Sequence, residues 1–153
     1  MKGLSLWQPW ATAVAIGSKT IETRGRYTHY RGPLVIHAAK HKVKSELDEL
    51  GARPMWIGAL GLHQDKPIES LPFGALLAVC DLVDCLPSDQ CFGRIAMNTV
   101  RGIFPYHWTE ESMGGYGEGR FGWILQNLRP LAKPVPFKAK QGFFEVPDEL
   151  LVF

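Results

Sequence analysis

The segment Gly17-Ser18-Lys19-Thr20-Ile21-Glu22-Thr23-Arg24 brings an amine, a carboxylate and a guanidinium into one short stretch. Such a trio can grip a phosphate or polarise a carbonyl. Glu22 itself has three available roles: orienting Arg24, accepting from a base edge, or acting as a general base. The plainer alternative is an exposed ion pair on a rim, worth at most about 1 kcal/mol. Gly17 reads as a helix stop, so Lys19 is expected to project from a turn. There the helix C-terminus favours the protonated amine, which suits holding an anion better than nucleophilic attack. Glu22 and Arg24 stand two apart, on the same side of a strand, while Ile21 supplies the core side. Their side is therefore expected to face a cleft or solvent.

The surrounding charge extends this reading. From Lys19 to Lys44 the chain carries Arg24, Arg26, Arg31, Lys40 and Lys42 against the single acid Glu22, although the net charge of the 153 residues is only +2. A basic patch on a nearly neutral protein can be an electrostatic footprint for phosphates, or simply a solvated face. Trp7 and Gln8 precede the helix that leads to Lys19. Trp7 could stack a base and Gln8 could read its edge, whereas Trp10 reads as a core residue. Arg120, in the glycine-rich Tyr116–Trp123 stretch, is a further candidate for meeting a phosphate. His37 ends an apolar strand and reads as a satisfied buried histidine.

These residues need a frame. Lys2–Leu6 reads as a first strand, Ala11–Ile16 as a helix entered through Pro9, and Thr20–Arg24 as a second strand. Leu34–His37, Phe73–Leu86, Phe121–Leu128 and Gly142–Val146 complete about six strands. Lys40–Leu50 reads as an exposed helix, Gly51–Ser70 as irregular with an apolar plug at Met55-Trp56-Ile57, and Pro147–Phe153 as a short closing helix. Gln90–Gly119 is the least regular region. Sixteen glycines and eleven prolines favour short elements and bends. The expected fold is α+β, one domain over 1–153, with a twisted, closed or partly closed β-barrel and two or three short helices.

Composition excludes several classes. Cys80, Cys85 and Cys91 lack CxxC spacing, so neither a disulfide framework nor a zinc site is expected, and no metal or cofactor is assigned. Cys80 and Cys85 read as small core residues. No stretch approaches the roughly 20 apolar residues of a membrane span, and no signal-peptide pattern is seen, so a cytoplasmic setting is expected.

LSLWQPWATAVAIGSKTIETR resembles the opening of an ASCH domain, whose main signature is GxKxxExR after a first strand and helix. GALLAVCDLVDCL resembles the central strand of that family, and Trp123-Ile124-Leu125 with PLAKPVPFKAKQGFFEV its closing strands. The resemblance implies a PUA-like β-barrel with a cleft for RNA, DNA or a nucleotide-like ligand, built around Lys19, Glu22 and Arg24. Some small bacterial members resemble amidohydrolases acting on acetylated cytidine. Their lysine matches Lys19, but a threonine stands where this chain has Glu22. Two alternatives remain open: a hydrolase of a modified nucleoside or RNA using Lys19 and Glu22, and a module whose basic face meets an acidic protein partner.

Overall fold

A computed structural model describes residues 1–41, 60, 70–91, 110 and 112–153. Six strands form one mixed sheet: β1 (Lys2–Leu6), β2 (Ile21–Arg24), β3 (Gly32–Ala38), β4 (Ala75–Pro87), β5 (Phe121–Pro136) and β6 (Phe143–Glu145). Their order is β2-β5-β4-β3-β1-β6, with β1 and β3 parallel and the other pairs antiparallel. The one helix described in full, α1 (Trp10–Ala15), crosses between β1 and β2, and a 3₁₀ turn at Asp148–Leu150 closes the chain.

Burial on both faces explains the apolar runs of β3 and β4. Leu34, Ile36 and Ala38 pack with Leu4, Leu6, Ala11, Val14 and Trp123 on the α1 side. Val35, Leu76, Val79 and Leu131 pack on the opposite side with Phe144, Val146 and the C-terminal Leu150 and Leu151. Cys80 and Cys85 are buried free thiols in the first of these cores, as expected. Burial pushes the Cys80 thiol up to about 12, so it stays protonated at neutral pH.

The strand expected at Phe121–Leu128 runs on to Pro136, past Pro130 and Pro134. Beyond Ile124 its one strand partner among the described residues is β4, the other side meeting only the Thr20 and Val152 carbonyls, and a proline without an N–H is tolerated on such an edge. Asn127, at φ 51°, and register shifts along β4 bend the ladder there. Among the described residues the expected barrel is not closed by strand pairing: β2 and β6 are the two ends of the sheet. Both are short, and the free edge of β2 is occupied by side chains. Glu110 accepts the Ile21 N–H at 3.1 Å and Arg120 Nη2 donates to the Thr23 carbonyl at 3.0 Å. Those edge groups therefore have partners without another strand. Side chains still draw the two ends of the sheet together. Trp123 stacks on Phe143 at 5.5 Å, and Arg24 Nη2 reaches the Ser5 carbonyl at 3.5 Å.

The helix expected at Lys40–Leu50, the plug at Met55-Trp56-Ile57 and most of Gln90–Gly119 lie outside the described residues, as do Lys42 and Lys44. No described helix is long and apolar enough to cross a membrane.

Candidate functional site

Gly17, at φ 81°, ends α1 as expected from its freedom in the left-handed region. The chain then folds back: the Lys19 N–H donates to the Ala13 carbonyl at 3.0 Å, below the end of the helix. This return carries the Lys19 side chain inward instead of letting it project. Its Nζ donates to the Ile21 carbonyl and lies 3.6 Å from Glu110, with the two side chains 1% and 3% exposed. Glu110 also accepts from the Thr20 N–H at 2.6 Å and the Thr20 hydroxyl at 3.0 Å. It holds the start of β2 from a distant part of the sequence. Nothing local marks Glu110 for this role.

Glu22 and Arg24 share a side of β2, as the alternation required, but that side is not equally open. Glu22 is buried, and burial raises its pKa against the opposing pull of Lys19 and Arg24. Arg24 is half-buried, 3.8 Å from Glu22 and 5.7 Å over the Trp123 ring. Its Nε is buried with no hydrogen-bond partner among the described residues. Burial, ahead of its charged neighbours, lowers its pKa.

Arg24 alone of the trio lines a broad cleft. That cleft has a volume of about 1380 Å³. Lys40, Arg26, Lys138 and Lys140 join Arg24 in its lining, and no Asp or Glu is among the described lining residues. Trp7, Phe73, Phe137 and His41 supply ring surfaces. Trp7 is 51% exposed, and its ring lies 6.3 Å from that of His41. On the floor Ser5 and His37 face each other across the β1–β3 ladder, hydroxyl to Nδ1 at 2.9 Å. His37 Nε2 meets the Phe137 carbonyl at 3.1 Å, and burial lowers the histidine's pKa.

Four of the candidates read from sequence (Trp7, Arg24, Arg26 and Lys40) therefore share one cleft. Lys19, Glu22, Gln8, Arg31 and Arg120 do not line it. Gln8 is buried and spends its amide on the Pro72 carbonyl at 2.7 Å and the Thr12 N–H at 3.1 Å. It braces α1 where an edge-reading role was expected. Arg31 turns to Asp84 at 3.3 Å and to the Thr28 carbonyl at 2.8 Å. Arg120 clasps Gly115 and Thr23 carbonyls at 2.8 and 3.0 Å. Trp10 packs half-buried, its Nε1 donating to the Met113 carbonyl at 2.9 Å. Lys138 and Lys140 were not among the candidates. Their signal was the alternating Phe-Lys-Ala-Lys pattern, which places two cations on one side of an extended segment.

A mixed sheet with the helix α1 across it and a cation-lined cleft defines, among the described residues, a small α+β domain. The chain belongs to the ASCH domain family, whose model matches residues 4–133. Over 91 residues it is 40% identical to activating signal cointegrator 1 of Homo sapiens and 38% identical to that of Mus musculus. Each match covers 57% of this chain but only 15% of the relative, so the chain corresponds to a small part of those proteins. The crystal structure of ASCH from Zymomonas mobilis aligns with a TM-score of 0.52 over 97% of this chain and 89% of that one. At 16% identity, that likeness speaks to the fold alone.

Proposed function

We propose that the cleft binds a phosphate-bearing strand, RNA or DNA, or a nucleotide derived from one. What carries this reading is the composition of the lining. Arg24, Arg26, Lys40, Lys138 and Lys140 converge with exposed ring surface, and no described lining residue is acidic. The net charge of the whole chain is only +2, so these five cations are concentrated in the cleft and not merely abundant. Phosphates meet the cations while bases find Trp7, which is how strands are held without base-edge readout. A volume of about 1380 Å³ exceeds the roughly 300–1,000 Å³ usual for small-molecule pockets, which favours an extended ligand.

Catalysis by Lys19 and Glu22 has no comparable support. Lys19 is committed to Glu110 and the Ile21 carbonyl, and neither residue lines the cleft. An acidic protein would meet the same cations but would leave Trp7 without a base to stack. The deciding experiment is fluorescence anisotropy with a labelled single-stranded oligonucleotide over a range of salt, with polyglutamate as competitor. Affinity that falls steeply with salt and resists polyglutamate fits the proposal. Binding that is absent or indifferent to salt overturns it.

A further inference from the structure

The floor of the cleft holds a hydrogen-bond chain whose direction is fixed by its last member. The Phe137 carbonyl can only accept, so His37 Nε2, 3.1 Å away, must carry the proton. Neutral imidazole then presents Nδ1 as an acceptor, and the Ser5 hydroxyl 2.9 Å away must donate to it. Burial of His37 favours that neutral ring. With its one proton committed, Ser5 Oγ can offer the cleft lone pairs only. Among the described residues the hydroxyl makes no other hydrogen bond. Beside it stands the opposite kind of group: Arg24, a pure donor, has Nη2 3.5 Å from the carbonyl of Ser5, while its buried Nε lies 3.8 Å from Glu22 with no hydrogen-bond partner among the described residues.

We propose that Ser5, locked as an acceptor by His37, is the residue through which the cleft prefers ribose to deoxyribose. This rests on the strand-binding reading above and names the substrate class of the same site. The floor asks for a ligand that brings an anion to Arg24 and an O–H or N–H donor to Ser5, side by side. A ribonucleotide has that arrangement, since its 2′-hydroxyl and 3′-phosphate sit on adjacent sugar carbons. Deoxyribose keeps the phosphate but has no donor, so the Ser5 lone pairs would lose water and gain nothing in return. The 2′-hydroxyl is the group that distinguishes the two nucleic acids at a single site. The penalty for losing it is that of one net hydrogen bond, about fivefold in affinity. Phosphate contacts are common to both strands and leave this ratio untouched.

The test compares three labelled oligouridines of equal length on the wild-type chain: ribose, 2′-fluoro and 2′-deoxy. The 2′-fluoro strand keeps a ribose-like sugar shape but has no proton to donate. Ribose should bind about fivefold more tightly than both others, and Ser5→Ala should bring the three together. Ser5→Thr, which retains a hydroxyl, should preserve the preference and covers the case in which the alanine variant is unstable. Equal binding of ribose and 2′-fluoro strands overturns the role of Ser5, as does a preference that survives in stable Ser5→Ala. Strong, salt-sensitive binding of all three alike leaves the cleft a strand-binding site and refutes only the ribose preference. No binding to any strand refutes the strand-binding reading itself.

Discussion

Lys19 Nζ lies 3.6 Å from the Glu110 carboxylate, and both side chains are almost wholly withdrawn from water. Lys19 is thus a buried anchor that ties the turn after α1 to Glu110. Breaking a buried pair of this kind leaves a charge without compensation, at a cost of about 3–5 kcal/mol. Lys19→Met should therefore lower the melting temperature by roughly 10 °C. Adding Glu110→Gln should cost less than the sum of the two single changes, because the residues are coupled. Circular dichroism melts of the three variants check this. Additive losses would mean that the pair carries no coupling.

Glu22 gives a pH signature. Its folded pKa lies above the ordinary carboxylate value because burial outweighs the attraction of Lys19 and Arg24. The folded chain therefore holds this proton at pH values where the unfolded chain has released it. Stability is fully present below about pH 4.5 and is lost as pH rises through the folded value. Glu22→Gln has no such proton, so it should gain stability relative to wild type across that window. Urea unfolding at a series of pH values measures the difference. A difference constant with pH would contradict the buried, disfavoured charge.

Trp7 separates binding from folding. Half exposed at the cleft mouth, it contributes little to the core, so Trp7→Ala should melt within a few degrees of wild type. Its loss should nonetheless weaken oligonucleotide binding by about 1–3 kcal/mol, the worth of stacking one base. Anisotropy titrations and melts on the same preparation give both numbers. An unaltered affinity would remove Trp7 from the interface.

The cleft cations should set the salt dependence. If Arg24, Arg26, Lys40, Lys138 and Lys140 each neutralise a phosphate, log affinity should fall with log salt at a slope of about −3.5 for a single strand. Lys138→Gln with Lys140→Gln should reduce it to about −2. Arg31→Gln, a cation already paired with Asp84 outside the cleft, should leave the slope unchanged. Equal effects of the two sets of changes would mean that binding follows net charge and not the cleft.

Periodicity, turn residues and family signature were enough to place six strands, α1 with its Gly17 stop, and the shared side of Glu22 and Arg24. These depend on spacing along the chain, and spacing is local. Sequence also named Trp7, Arg24, Arg26 and Lys40, because an exposed ring or cation near a signature is visible in its own neighbourhood. Tertiary structure decided which charges are free to meet a ligand. Lys19 and Arg120 read as available cations, yet Glu110 engages the first, and the Gly115 and Thr23 carbonyls the second. Gln8 read as an edge reader until Pro72 and Thr12 claimed its amide. Sheet closure, too, depended on whether the edge of β2 found a strand or side chains. A side chain's availability is set by partners distant in sequence. Lys138 and Lys140 reach the cleft, and Ser5 meets His37, only because the sheet coils their separate segments together.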